Sequence, residues 1–152
     1  LMAGTEKSLK ARAVDLLSRR EYSRLELKRR LAPFAESEAE VDALLEQLAA
    51  DHWQSDSRFA EAFANSRGQR YGSRRLAQEM RERGIDRDTI QSALAQQDDL
   101  ATARAIWQRK FGRPPADQQE RLKQMRFLAS RGFGMDIIQR ILRGASRDID
   151  DE

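Results

Sequence analysis

DSRFAEAFANSRGQRYGSRRLAQEMRERGI, residues 56–85, decides how the chain is read. Asp56 can cap a helix whose one face carries Phe59 and Phe63 at i,i+4. Tyr71-Gly72-Ser73 then breaks that helix and starts another, because glycine and serine favour a turn over a continued helix. Leu76 and Met80 restore the four-residue apolar period, and Gly84 suits the left-handed residue just past a helix end. Asp86 can cap a third helix, with Ile90, Ala93 and Leu94 inward.

The same plan extends in both directions. On the N-terminal side, Leu9, Ala13, Leu16 and Leu17 form an apolar stripe before Arg19-Arg20. Ser23 and Glu26 have capping-box spacing ahead of Leu27 and Leu31, and Pro33 argues for a stop. A second capping box, Ser37 with Glu40, opens a helix bearing Val41, Leu44, Leu45 and Leu48. On the C-terminal side, Ile106, Trp107 and Phe111 share a helix closed by Gly112, Pro114 and Pro115. Asp117 with Glu120 opens a helix containing Met125 and Leu128 and ending at Gly132. Ile137, Ile138, Ile141 and Leu142 mark the last.

These stretches superpose. A shift of 48 places Phe59 on Trp107, Phe63 on Phe111, Met80 on Leu128, Gly84 on Gly132, Ile90 on Ile138 and Leu94 on Leu142. A shift of 49 places Tyr22 on Tyr71, Leu27 on Leu76, Leu31 on Met80, Val41 on Ile90 and Leu45 on Leu94. Matching apolar sites separated by differing surfaces are the mark of a tandem repeat. The expected fold is therefore all-α, three tandem three-helix repeats stacked in an elongated array. Their expected spans are 7–52, 53–99 and 100–145, with an acidic, frayed tail over 146–152. A unit this small is marginal alone, so stacking on a neighbour is needed.

Composition limits the chemistry. The chain has 152 residues, 39% hydrophobic and 35% charged, with a net charge of only +3 carried by 23 Arg and 5 Lys. Arginine suits planar recognition of phosphate or carboxylate, so a nucleic acid or acidic protein partner is one reading. A solvated helical surface with many i,i+4 pairs is the other. The absence of cysteine excludes disulfides, zinc–thiolate sites and thiol catalysis, and fits a cytoplasmic protein. No apolar run approaches the roughly 20 residues that cross a bilayer, and no secretory core is seen, so no membrane partner is expected. Leu1 precedes Met2, and the first residues are left out of the fold reading as an appended remnant.

Enzyme sites are thin. His52 is the only histidine, no nucleophile motif surrounds it, and its neighbour Trp53 points to a repeat junction, so a structural role is expected. Glu36, Glu38 and Glu40 lie where a helix N-terminus favours acids. No phosphate-cradling loop is present, and Gly132-Phe133-Gly134 lacks the strand of a dinucleotide site. No catalytic residue, cofactor or metal ligand is expected.

The central segment resembles the signature of the RecX family of regulatory proteins, with Arg58, Phe59, Phe63, Arg67, Gly72, Arg75, Leu76, Gly84 and Ile85 where that signature expects them. EYSRLELKRRL (21–31) is similar to the family's first repeat and RFLASRGFGMDIIQRIL (126–142) to its last, and Lys110-Phe111-Gly112 with Pro114 matches a third-repeat element. The resemblance covers nearly the whole chain. It implies three three-helix repeats and a protein that binds in the groove of the RecA–DNA filament. There it would inhibit ATP hydrolysis, strand exchange and coprotease activity, and so modulate DNA repair, homologous recombination and the SOS response.

Signature residues need not touch a partner. Phe59, Phe63, Trp107 and Phe111 are expected in the core, and Gly84 and Gly132 as caps of positive φ. Arg83 and Arg131 each precede such a glycine and are read as complementing a helix C-terminus, in preference to facing a partner. Candidate contacts come from three basic clusters: Lys28, Arg29 and Arg30; Arg70, Arg74 and Arg75; Arg121, Lys123 and Arg126. Around Gly72, free helix amides and arginines could together hold an anion. If the clusters share one face they form a basic wall; if not, each is a solvated face balanced by nearby acids. The acidic tail could mask that face, though a solvated terminus is the plainer reading. A filament regulator and an independent, weak binder of single- or double-stranded DNA are the two function classes left open, and an array with polar ends fits a monomer.

Overall fold

Short polar side chains set most helix starts. The computed structural model describes residues 7–150, with side chains through Ser146. Among the described residues there are nine α-helices and no strand. They are α1 (Leu9–Leu17), α2 (Arg24–Leu31), α3 (Glu38–Ala50), α4 (Asp56–Arg67), α5 (Ser73–Glu82), α6 (Arg87–Leu94), α7 (Asp99–Lys110), α8 (Gln118–Ser130) and α9 (Met135–Asp150). Pro33 ends α2 in a single 3₁₀ turn, Ala32–Phe34. No helix of the described residues is long and apolar enough to cross a membrane.

Ser23 and Glu26 form the expected reciprocal box: Ser23 Oγ accepts from Glu26 N and Glu26 Oε1 from Ser23 N. The second box is only half made. Ser37 Oγ accepts from Glu40 N, but the Glu40 carboxylate turns to the amide of Glu36 instead. Asp56 is not the cap of α4. Ser55 takes that place, with its Oγ accepting from Arg58 N at 3.1 Å, because Asp56 is occupied elsewhere. Asp86 and Asp117 cap as expected, and Asp98 caps α7.

Asp56 reaches back instead to α2. Its Oδ1 accepts from Arg24 N at 2.8 Å, while Gln54 Nε2 donates to the Tyr22 carbonyl at 3.3 Å. The device recurs. Asp99 Oδ1 accepts from Ser73 N at 3.0 Å, and Gln97 Nε2 donates to the Tyr71 carbonyl at 3.3 Å. In each case the residues that open one helix also hold the start of a helix roughly thirty positions earlier, satisfying an amide that the α-helix leaves free.

The ends of α3, α5, α7 and α8 close through a residue of positive φ. Gly84 (φ +83°), Gly112 (φ +66°) and Gly132 (φ +96°) adopt the left-handed conformation. A chain amide donates five residues back at each, from Ile85 to Met80, from Gly112 to Trp107 and from Phe133 to Leu128. His52 (φ +63°) fills the same slot after α3, beside the bond from Trp53 N to the Leu48 carbonyl. Histidine tolerates this region better than most side chains, and the exposed imidazole is held by backbone geometry.

Packing divides the chain into two units that interleave in sequence. One comprises residues up to Ala62 with Met80–Ala93; the other is Phe63–Glu79 with the chain from Leu94 onward. In the first, Ala13, Leu27, Leu31, Val41, Leu45 and Leu48 form a core closed by Tyr22 and Leu44. In the second, Ile106, Trp107, Leu128, Phe133, Ile138, Ile141 and Leu142 do so around Ala103. Phe59 and Phe63 are buried as expected, and Phe111 is partly buried. Trp107 and Gln124, where the 48-residue shift has Phe59 and Leu76, form a buried polar pair: Trp107 Nε1 donates to Gln124 Oε1 at 2.8 Å. Gln124 Nε2 donates onward to the Arg113 carbonyl at 3.1 Å, so the indole N–H and the amide are both satisfied.

Helix α9 continues through Asp150, past the expected end of the third repeat at Ala145. The acidic side chains from Asp148, like Leu1 and Met2, lie outside the described residues.

Candidate basic interface

The second unit places the start of α5 against the end of α8. Gly72 N donates to the Arg131 carbonyl at 2.7 Å and Arg74 N to the Gly132 carbonyl at 3.1 Å, while Asp99 holds Ser73 N. The partial positive end of one helix thus meets the partial negative end of another. The approach needs both glycines. A Cβ on Gly72 would lie 2.5 Å from the Gly132 oxygen, and one on Gly132 would lie 2.3 Å from Arg75 Cβ. The amides of residues 72–74 are therefore taken, which corrects the expectation that they are free to hold an anion.

Around this junction cations and rings alternate. The Tyr71 ring has the Arg75 guanidinium at 3.9 Å, with those of Arg70 and Arg131 each at 5.7 Å. Arg131 lies 5.1 Å from the Phe127 ring, which also has Lys110 Nζ at 5.4 Å and Phe111 edge-on at 5.4 Å. All lie within the roughly 6 Å over which a ring face attracts a cation. Arg131 Nη1 also donates to the Arg70 carbonyl. Arg131 therefore does more than complement a helix end, since it joins two rings and two segments.

The three expected clusters fare differently. In the first unit, Lys28 is held by Glu38 at 2.9 Å and Asp42 at 3.1 Å, and these carboxylates keep its ammonium charged above the usual lysine range. Arg29 and Arg30 are exposed, Arg30 with its guanidinium 6.0 Å from Tyr22. In the second cluster Arg70 and Arg74 are exposed, whereas Arg75 donates to the Ser130 carbonyl and pairs with Glu79. In the third, Lys123 and Arg126 are exposed and Arg121 half-buried. Lys123 and Arg126 line a groove of about 780 Å³ with Lys110, Phe111, Arg113 and Pro114. Lys110 and Phe111 reach Phe127, so groove and ladder adjoin within this unit. Tyr71, Phe127, Lys110 and Arg113 are not among the contacts expected from sequence; aromatics placed between basic residues were the available signal.

The two units differ in charge. The first holds 13 Lys and Arg against 15 Asp and Glu, the second 15 against 10. Arg19, Arg20, Arg24, Lys28, Arg58 and Arg83 in the first each lie within ion-pair distance of a carboxylate. In the second, Arg67 and Arg75 share Glu79, and among the described residues Arg70, Arg74, Lys110, Arg113, Lys123 and Arg126 close on none. No group of described residues has the composition to hold a metal ion.

Residues 97–142 match the family model for the third three-helix domain of RecX, and residues 55–94 that for the second. The chain is 63% identical over 147 residues to the regulatory protein RecX of Chromobacterium violaceum, covering 97% of each. It is 49% identical over 146 residues to that of Ralstonia nicotianae, covering 95% of this chain and 92% of the relative. A crystal structure of RecX from Lactobacillus salivarius superposes with a TM-score of 0.78 at 18% identity, over 91% of this chain and 94% of that one. At that identity the likeness speaks for the fold alone.

Proposed function

The chain belongs to the RecX family of regulatory proteins, and from that premise we propose that it is a negative regulator of the RecA recombinase. It binds in the groove of the RecA–DNA filament and lowers ATP hydrolysis, strand exchange and coprotease activity, acting in the cytoplasm as a monomer. Its three repeats span 7–52, 53–99 and 100–145. The observation that carries this reading is the unbalanced cationic surface of the second unit, where Arg70 and Arg74 flank a ladder of arginines and rings. Such a surface suits a filament groove, which offers protein carboxylates and DNA phosphates side by side.

The test is ATP hydrolysis by RecA on single-stranded DNA, titrated with this protein. Wild-type protein should suppress hydrolysis. Arg70→Glu with Arg74→Glu should raise the half-inhibitory concentration at least about tenfold, equivalent to about 1.4 kcal/mol. These two positions are preferred to Arg75, whose side chain also holds the fold. Hydrolysis indifferent to the wild-type protein would remove the reading, and a folded double variant inhibiting normally would remove this cluster from it.

The same unpaired cations favour a second reading, binding to naked DNA. That mode should weaken with salt, with a log–log slope of about −0.9 per phosphate contact on duplex. Stronger binding to RecA-coated than to naked DNA at moderate salt separates the first reading from the second.

A further inference from the structure

We propose that the groove between the end of α7 and the first turns of α8 holds one nucleotide of a single-stranded nucleic acid, taking its phosphate and its base together. At about 780 Å³ the groove falls within the ~300–1,000 Å³ of sites that enclose small ligands. Lys110, Arg113, Lys123 and Arg126 line it, and none closes on a carboxylate among the described residues. Half-buried Phe111 and Pro114 add an apolar wall against which a base can lie.

Glu120 decides between ligand classes. Its amide is capped by Asp117, and the residue lines the groove without an ion-pair partner among the described residues. Its negative charge opposes any anionic ligand, so an occupant must offset that by donating a hydrogen bond to it. A nucleotide can use it, because a carboxylate accepts a hydrogen bond from the exocyclic amine of cytosine, which thymine lacks. The cations then take the phosphate and Glu120 reads the base edge.

The wall also carries its own reporter. Gln124 lines the groove, accepts from Trp107 Nε1 and donates to the Arg113 carbonyl. Ligand in the groove therefore acts on the buried indole through one intervening residue. The inference rests on the reading above, in that a filament presents single-stranded DNA, but it is tested without RecA.

Trp53→Phe leaves Trp107 as the sole tryptophan of the chain. In that background, Trp107 emission is followed during titration with oligo-dC, oligo-dT, free dCMP and poly-glutamate. A saturable change with oligo-dC is expected, with oligo-dT binding several-fold more weakly and dCMP weaker still. Arg113→Glu with Lys123→Glu should lower oligo-dC affinity at least about tenfold. It should also flatten the salt dependence by about 0.7 in log–log slope for each phosphate the variant no longer neutralises. Glu120→Ala should abolish the preference for dC over dT. Arg113→Gln with Lys123→Gln serves if the charge-reversed variant does not fold.

Unchanged affinity and slope in the folded charge variants would overturn the proposal, as would an equal response to poly-glutamate. Free dCMP binding as tightly as the strand would overturn the assignment to a strand. RecA hydrolysis assayed on the same variants keeps the two readings apart. Loss of oligonucleotide binding with inhibition intact upholds the groove and moves the filament contact elsewhere. Normal oligonucleotide binding by a wild-type protein that does not inhibit upholds the groove and removes the filament reading alone.

Discussion

Tyr22-Ser23-Arg24 in the first unit and Tyr71-Gly72-Ser73 in the second begin equivalent helices in different ways. Both are gripped from downstream by a glutamine on the tyrosine carbonyl and an aspartate on the first helical amide. At Ser23 side chains complete the closure. Glu26 returns the capping bond and also draws in Arg20 at 3.5 Å and Arg83 at 3.7 Å. Gly72 has no side chain with which to return such a bond. The end of α8 completes the closure through backbone, and Arg70 and Arg131 face the Tyr71 ring without an acid among the described residues, whereas Arg20 in the first unit faces the Tyr22 ring and Glu26 together. One scaffold can therefore hold its charges balanced or leave them available, and the fold alone does not decide which.

The sharpest way to break this comparison is Gly132→Ala. The new Cβ would meet Arg75 at a positive φ, and the combined strain and overpacking should cost about 2–5 kcal/mol in urea unfolding. A loss under about 1 kcal/mol would show that α8 and α5 can part without consequence. Next come Asp56→Ala and Asp99→Ala. Each leaves a helix-start amide without its charged acceptor and should cost about 1.5–3 kcal/mol. Near-equal losses sharpen the equivalence of the two grips, whereas a negligible loss at Asp99 would break it.

The smallest effect concerns Lys28. Its carboxylate neighbours raise its proton affinity on folding, so its contribution is fully present below the usual lysine value and is lost as pH rises through the elevated one. Lys28→Met should therefore lower the melting temperature at neutral pH, a deficit that holds up to the ordinary lysine value of 10.5 and closes only above the elevated one. Arg74→Met, lacking acidic partners, should show no such convergence. A Lys28 deficit that persists unchanged above the elevated value would remove the ion pairs as its cause.

Much of the fold was legible because its signals are local. Ser23 with Glu26, Asp86 and Asp117, the glycines at 84 and 132, and the apolar positions matched by the 48- and 49-residue shifts all act within a turn or two of themselves. The misreadings arose where a local signal was overruled at long range. Asp56 looks like a cap, yet it serves Arg24 thirty-two positions away. The Gln-x-Asp grip stayed hidden because Gln54 and Gln97 are 43 apart, off the period of the helices they serve. Six residues are missing against the 49-residue shift, and the difference between α3, with 13 residues, and α6, with 8, supplies five of them. The basic clusters were visible as composition, but whether a lysine faces two acids or a groove depends on helices it packs beside, and no spacing rule carries that.

The docking of α8 onto α5 bears on where the chain can be cut. The match to the third domain begins at residue 97, but the partners of that segment's carbonyls at 131 and 132 sit at residues 72 and 74. A fragment released at 97 would lose them, would strip Asp99 of Ser73, and would uncover the flank of Phe133 that Gly72 shields. The boundary drawn by sequence kinship is thus a poor place for scissors, and a self-sufficient C-terminal piece has to carry the loop and first turn of α5 along with it.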